Sequence, residues 1–216
     1  MSAPPTVFVI DDDEGMRDSI QFLLESVGLR VACFASAEAF QATYDNQQPG
    51  CVLVDVCMPG RPGLELQKEL CRDRNAPPVL LISGHGDIPM AVSALRAGAF
   101  DFIEKPYSDE ILVGRIREAL ETDSRRREQL RELAEVEDCF ARLTAREREV
   151  FQLVVDGNPN KVIAATLELS QKTVEVHRAH VMEKMEAKSL ADLVKMAVRL
   201  EAARSPEARG PSGTAT

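Results

Sequence analysis

The segment CVLVDVCMPG, residues 51–60, places an acid at the end of an uninterrupted apolar run. Such a run predicts a strand that is buried on both faces of a parallel sheet. An unpaired carboxylate inside that strand would cost several kcal/mol. At the carboxyl end of the strand, however, parallel sheets open into the crevice where they bind ligands. Asp55 is therefore predicted to lie at a functional edge of an α/β sheet.

Strand and helix patterns alternate on both sides of this segment, through residue 121. Five apolar runs, each followed by a helical pattern, predict an α/β fold with a five-stranded, doubly wound parallel sheet. Right-handed crossovers would place helices on both faces, in the flavodoxin-like strand order 2-1-3-4-5. The predicted strands are VFVI (7–10), LRVACF (29–34), CVLVD (51–55), PVLLIS (78–83) and FDFIEKP (100–106).

The second half of the chain has a purely helical pattern. Residues 122–142 are polar and predict a linker helix that extends the fifth helix, with Arg125–Arg127 on a solvated face. A capping box formed by Thr144 and Glu147 opens the first of four further helices. Four regions are therefore predicted: a sheet domain (1–121), a linker helix (122–142), a four-helix domain (143–203) and a disordered tail (204–216).

Composition narrows the class of protein. Hydrophobic residues make up 44% and charged residues 28% of the chain, which is typical of a soluble globular protein. No run approaches the roughly 18 apolar residues of a membrane span, and the N-terminus lacks the features of a signal peptide. The five cysteines form no CxxC pair, which favours free thiols in a reducing compartment. We therefore expect a cytoplasmic protein without a membrane partner.

The predicted carboxyl edge of the sheet collects three acids, a hydroxyl and a lysine. Asp11 and Asp12 follow strand 1, and Asp55 ends strand 3, so their carboxylates should meet at the switch point. Such acids repel one another unless a cation lies among them, and Mg²⁺ suits carboxylate ligands. With Mg²⁺ bound, Asp55 is predicted to accept a phosphoryl group. Ser83 and Lys105, at the ends of strands 4 and 5, would contact the phosphoryl oxygens. Two further acids, Asp13 and Asp87, are interpreted as turn or helix caps.

Residues 5–121 resemble the receiver domain of two-component response regulators. The resemblance rests on the motifs VIDDDE, DVCMPG, LISGHGD and FIEKP. It implies that Mg²⁺ is bound by Asp11, Asp12 and Asp55, together with the backbone carbonyl of Cys57.

The same resemblance implies a conformational switch. Phe102 takes the position of the family's switch aromatic, which turns inward once Ser83 engages the phosphoryl group. Most relatives carry Thr where this chain has Ser83, which leaves the hydroxyl in place. A permanently buried Phe102 is the alternative. The resemblance further implies a cis bond between Lys105 and Pro106.

The long helix near the end of the chain shows two faces. Val174, Val181 and Met185, with His177 between them, repeat at helical spacing and should pack against neighbouring helices. The opposite face is small and polar, which suits the major groove of DNA. Charge agrees with this division, since residues 1–140 carry 14 basic against 25 acidic residues, whereas residues 141–204 carry 11 against 9.

Residues 143–203 resemble the LuxR-type DNA-binding domain, and TVEVHRAHVMEKM is similar to its FixJ-like branch. The resemblance implies a recognition helix at 171–185 and a dimer contact in the last helix, for which packing within the domain is the alternative. Asn160 and Lys161 are phosphate candidates because they begin a helix, where anions are favoured. The same resemblance implies base-facing positions at Glu175, Val176 and Ala179, and groove or phosphate contacts at Lys172, Thr173, Arg178 and His180.

These patterns favour a phosphorylation-controlled transcription factor, not an enzyme. A sensor histidine kinase, promoter DNA and RNA polymerase are the expected partners. Phosphorylation would produce a homodimer through residues 88–97 and 101–103. A phosphatase of the haloacid-dehalogenase type is a second hypothesis, but such enzymes carry their nucleophile in a DxD motif on the first strand. A DNA-binding protein that is indifferent to phosphorylation is the third hypothesis.

Overall fold

The computed structural model describes residues 4–73, 75–84 and 88–204. The chain forms two compact units, Met1–Glu128 and Gln129–Thr216. Asp87 and the predicted tail from residue 205 onward lie outside the described residues.

The first unit contains a five-stranded parallel sheet in the order β2-β1-β3-β4-β5. The predicted fold class is thereby confirmed. Sequence-predicted and observed strand ends differ by at most two residues. The strands are β1 (Thr6–Ile10), β2 (Arg30–Phe34), β3 (Gly50–Asp55), β4 (Val79–Ser83) and β5 (Asp101–Glu104). The helices are α1 (Glu14–Ser26), α2 (Ala37–Gln41), α3 (Gly63–Leu70), α4 (Ile88–Arg96) and α5 (Asp109–Ala141).

The central strand β3 is buried along its whole length, as its apolar sequence predicts. Because successive side chains of a strand point to opposite faces, Val52 and Val54 join one apolar cluster and Cys51 and Leu53 join another. Full burial of a side chain such as Leu53 contributes about 1.5–3 kcal/mol. The two clusters fix β3 between helical layers and leave Asp55 at its carboxyl end.

Helix α5 continues through the predicted linker without a break. Asp123, which is only 2% exposed, accepts hydrogen bonds from the backbone N–H of Gly50 (2.9 Å) and from Arg127 Nε (2.7 Å). Its other oxygen pairs with Arg126. This buried ion-pair cluster attaches the middle of α5 to the amino edge of the sheet.

The arginine triplet therefore has two environments. Arg125 is 76% exposed and pairs with Glu121, as expected for a solvated face. For the other two arginines that expectation was wrong. Arg126 donates to the carbonyls of residues 75 and 76, and Arg127 to those of residues 46–48. The reason is helical spacing, because both follow Asp123 by three or four residues and share its inward face.

The second unit packs four helices, α6 (Ala145–Val155), α7 (Asn160–Thr166), α8 (Gln171–Lys184) and α9 (Leu190–Arg204), around one apolar cluster. The predicted capping box is confirmed: the Thr144 side chain accepts from Glu147 N, and the Glu147 carboxylate accepts from Thr144 N. Gly157 follows α6 with a φ of 82°, a conformation that favours glycine. The end of α5, from Gln129 onward, is itself part of the second unit, and its Val136 lies in this cluster.

Candidate functional site

The carboxyl ends of three strands bring Asp11, Asp55 and Lys105 together. Lys105 Nζ lies 2.8 Å from Asp55 Oδ1 and 3.4 Å from Asp11 Oδ2. Both carboxyl groups are buried and the lysine is partly buried, so water screens these charges incompletely. Three residues separated by up to 94 positions in the sequence thus form one charged cluster.

Backbone groups orient the two carboxylates. Asp55 Oδ2 accepts a hydrogen bond from Cys57 N (2.7 Å), and Asp11 Oδ1 accepts one from Asp13 N (2.9 Å). A Cβ atom at Gly63, where α3 begins, would overlap the carbonyl oxygen of Asp55. Glycine at this position therefore lets α3 approach the end of β3 closely.

Burial and charge act in opposite directions on this cluster. Burial raises the pKa of Asp11, although the Asp13 N–H and the Lys105 ammonium partly offset the effect. For Lys105, burial alone would lower the pKa, but the hydrogen bond to Asp55 and the charges of both acids leave it raised. Lys105 therefore stays an ammonium group at neutral pH.

The acids that follow β1 have distinct surroundings. Asp12 is exposed, and its carbonyl accepts from Arg17 Nη1 at 3.0 Å. Asp13 caps α1 by accepting from Met16 N at 3.1 Å, which confirms its interpretation as a helix cap. The exposed Asp12 and the buried Asp11 and Asp55 provide carboxylate oxygens at one edge of the sheet. The ammonium of Lys105 contacts only the two buried carboxylates among these three. This donor set fits a hard divalent cation such as Mg²⁺.

The hydroxyl and aromatic positions lie on the neighbouring strands. Ser83 is fully buried at the end of β4, and its carbonyl accepts from Lys105 N at 2.8 Å. Phe102 of β5 is half-buried and packs against the apolar cluster that contains Val54. The bond between Lys105 and Pro106 is cis, as the resemblance implies. Ser83, Phe102 and Lys105 are thus held in register by the pairing of β4 with β5.

A second candidate site is the exposed face of α8 in the second unit. Val174, Val181 and Met185 are buried in the core, as their spacing predicts. His177 is half-buried between them. The exposed residues of the predicted DNA-contact set are Lys172, Glu175, Val176, Ala179 and His180, together with Lys161 at the start of α7.

The remaining predicted DNA contacts are partly engaged within the protein. Arg178 Nη1 donates to Asn160 Oδ1 at 3.0 Å, which joins the start of α7 to the middle of α8. Thr173 Oγ1 lies 2.8 Å from the hydroxyl of Ser170, which caps α8. The first of these bonds links α8 to the helix that precedes it, and the second lies within the start of α8 itself.

Sequence reasoning identified Glu147 only as a capping residue. In the structure, Glu147 Oε2 also accepts from Lys184 Nζ at 2.6 Å, and Oε1 lies 3.6 Å from His180 Nδ1. The hydrogen bond from Lys184 is the main cause that lowers the pKa of Glu147 from 4.5 to about 2. The sequence shows a lysine at the end of α8, but nothing in it identifies Glu147 as the partner of that lysine.

This ion pair predicts acid sensitivity of the second unit. Because the pKa of Glu147 is lowered by folding, its stabilising contribution is fully present above pH 4.5 and is lost as the pH falls through about 2. Glu147→Gln keeps a capping side chain but should remove this pH dependence. The measurement is hydrogen exchange of backbone amides in α6 and α8 between pH 2 and 5. Glu149→Gln, which changes an exposed acid on the same helix, is the control and should behave as the wild type.

Comparisons with known proteins cover both units. Residues 7–117 match the response regulator receiver domain, and residues 141–197 match the bacterial regulatory proteins of the luxR family. Nodulation protein W of Bradyrhizobium diazoefficiens is 44% identical over 200 residues, which span 92% of this chain and 88% of that protein. Transcriptional regulatory protein FixJ of Azorhizobium caulinodans is 45% identical over 192 residues, or 89% of this chain and 91% of that one. The solved structure of response regulator StyR shares 40% identity and a TM-score of 0.83, covering 91% of this chain and all of its own.

Among the described residues, no helix combines the length and apolar character that a membrane crossing requires.

Proposed function

The chain belongs to the response regulators that join a receiver domain to a LuxR-type DNA-binding domain, and from this premise we propose that it is a transcription factor controlled by phosphorylation of Asp55. The observation that carries the proposal is the contact of Lys105 Nζ with Asp55 Oδ1 at 2.8 Å, beside Asp11. A carboxylate held next to an ammonium group is suited to accept a phosphoryl group, because the positive charge offsets the negative charge of the phosphoryl oxygens.

The proposed phosphoryl transfer starts from a phosphohistidine of a sensor histidine kinase. An oxygen of Asp55 attacks phosphorus, the P–N bond breaks, and the imidazole leaves with the bonding pair and takes up a proton. The product is an acyl phosphate, whose oxygens Lys105 would hold by charge. Mg²⁺ would be held by Asp11, Asp12, Asp55 and the carbonyl of Cys57, and it would neutralise negative charge on the transferring group.

The proposed switch uses the paired ends of β4 and β5. The Ser83 hydroxyl would donate to a phosphoryl oxygen, and Phe102 would then pack further inward. The half-buried state of Phe102 supports this step, because the ring has exposure left to lose. The backbone bond from Lys105 N to Ser83 O couples the two strands during the change.

Dimerisation is the proposed output of the switch. On α4, Ile88 is 80% exposed, and Val92 and Leu95 are also exposed, so this face offers apolar area for a second copy. On α9, Leu193 is buried in the core, whereas Leu190 and Val198 are exposed. The intradomain alternative therefore fits Leu193, and a dimer contact fits the other two. Two recognition helices would read half-sites about one helical turn of DNA apart.

The proposed DNA interface is the exposed face of α8 and the start of α7. The residues are Asn160, Lys161, Lys172, Thr173, Glu175, Val176, Arg178, Ala179 and His180. RNA polymerase is the proposed downstream partner at the promoter, and the proposed location is the cytoplasm.

Lys172→Ala is expected to weaken DNA binding uniformly across sequences. Lys172 is exposed in the first turn of α8, where it would contact a phosphate and release a counterion on binding. Its loss should reduce the slope of log K against log salt by about one unit per half-site. Lys188→Ala, an exposed lysine beyond the end of α8, serves as the control in titrations of fluorescent DNA. Equal slopes for the two variants would mean that Lys172 does not contact DNA.

The whole proposal is tested by incubating the full chain with Mg²⁺ and a small phosphodonor. The expected result is a mass gain of one phosphoryl group, a shift to dimer in light scattering and tighter binding to DNA. Omission of the phosphodonor should abolish all three changes. A chain that stays unmodified contradicts the proposal, and unchanged DNA affinity after phosphorylation would favour a constitutive DNA-binding protein. Continued turnover of an added phosphoester would favour a phosphatase.

A further inference from the structure

The second unit contains a cluster of metal-ligand side chains far in sequence from the acidic edge of the sheet. One ring nitrogen from each of His177 and His180 and one carboxylate oxygen of Glu147 all lie within 4.8 Å of one another. The two histidines are three positions apart on α8, which places them on one side of the helix. Glu147 faces them from α6, so the three donors come from two packed helices.

From this geometry we propose that Glu147, His177 and His180 form a binding site for a borderline divalent cation of the Zn²⁺ or Co²⁺ class. Imidazole nitrogen and carboxylate oxygen are ligands of such ions, and two His with one acid leave a fourth position for water. Mg²⁺, which prefers oxygen donors, suits the acidic edge of the sheet instead. The chain would thus hold two cation sites of different chemical preference.

An unpaired polar atom supports the site. Nδ1 of His177 is buried and, within the part of the chain that the structure describes, has no hydrogen-bond partner. Native proteins contain few such atoms, and a bound ion is one of the recognised explanations. The described residues packed around His177 therefore provide no partner for this nitrogen, and a bound ion would provide one.

The two carboxylate oxygens of Glu147 have different neighbours. Oε2 accepts from Lys184 Nζ (2.6 Å) and from Thr144 N (2.8 Å), while Oε1 faces His180 Nδ1 at 3.6 Å. Hydrogen bonds to a ligating carboxylate orient it, so Oε2 would be held by the protein while Oε1 binds the ion. The nearby ammonium of Lys184 repels a cation, and we therefore expect weaker binding than at a site built of thiolates. A bound ion would join α6 to α8.

Co²⁺ titration of the reduced full chain, with excess Mg²⁺ present, tests the site. The expected result is one bound Co²⁺ with visible absorption typical of low coordination and no thiolate-to-metal band. His180→Gln should weaken binding at least about tenfold, since even an outer-shell change commonly costs that much. The His180 side chain is 51% exposed, so this substitution should leave the fold intact. His85→Gln, which changes the third histidine and lies outside the described residues, is the control and should bind as the wild type.

Hydrogen exchange provides a second, local readout. Co²⁺ should slow exchange of amides in α6 and α8 of the wild type but not of His180→Gln. Affinity that is the same in His180→Gln and the wild type would overturn the proposal. So would a thiolate band, because it would assign the ion to a cysteine, or the absence of saturable binding. Since the site lies outside the receiver, these outcomes are independent of whether Asp55 is phosphorylated.

Discussion

Asp55→Asn is expected to abolish phosphorylation of the full chain. The amide has nearly the shape of the carboxylate and can still accept from Cys57 N, but it is not a nucleophile toward phosphorus. The variant should gain no mass on incubation with phosphodonor and Mg²⁺, and should stay in the oligomeric state of the untreated protein. Intact mass spectrometry and light scattering on the same samples measure both effects.

Asp13→Asn is the matched control for that experiment. Asp13 lies at the same edge of the sheet, and its replacement by Asn removes the same charge. Its side chain caps α1, however, a role that Asn fills equally well. This variant should be phosphorylated and should dimerise as the wild type does. If Asp55→Asn were still modified, another side chain would be the acceptor. If Asp13→Asn were not phosphorylated either, the loss of phosphorylation would follow from the loss of negative charge at this edge and not from the loss of a specific acceptor.

Asp123→Ala is expected to lower the free energy of unfolding of the first unit by roughly 3 kcal/mol. The substitution removes the carboxylate with which Arg126 and Arg127, 26% and 23% exposed, form ion pairs. It also leaves the buried N–H of Gly50 without the acceptor that lies 2.9 Å away. Native-state hydrogen exchange of the β3 amides measures the effect, because these amides exchange only when the sheet opens.

Glu121→Ala provides the comparison for Asp123→Ala. It removes an acid from the same helix, with its partner Arg125 four residues onward, but both of these side chains are exposed. Such a surface pair contributes about 0–1 kcal/mol. A large difference between the two variants is expected. Equal effects would mean that water reaches the Asp123 cluster as freely as it reaches the surface.

The sequence predicted the acidic edge well because its residues directly follow buried strands. A strand that is apolar along its length ends where the first acid or hydroxyl appears, and parallel strands bring those ends together. Asp11, Asp55 and Lys105 meet for this reason, although 94 positions separate the first from the last. Their roles in phosphoryl transfer remain predictions.

The contacts of Asp123 and Glu147 escaped prediction for a common reason. Helical periodicity shows which residues share a face, but not which loop or helix meets that face. Asp123 accepts from Gly50, 73 positions away, and Glu147 from Lys184, 37 positions away. No local pattern encodes such pairs. The charged residues of α5 consequently suggested a solvated linker, although two of its arginines bind the loops beside the sheet.

Helix α5 supplies side chains to two separate cores, with Ile116 and Ala119 in one and Val136 in the other. Between them, residues 128–131 are exposed and contribute to neither. Because the two cores are separate, we expect a calorimetric trace of this chain to resolve into two transitions, one for each core. If the trace does so, the chain has no single melting temperature, and the effect of a substitution on stability has to be assigned to the transition of the core that contains it.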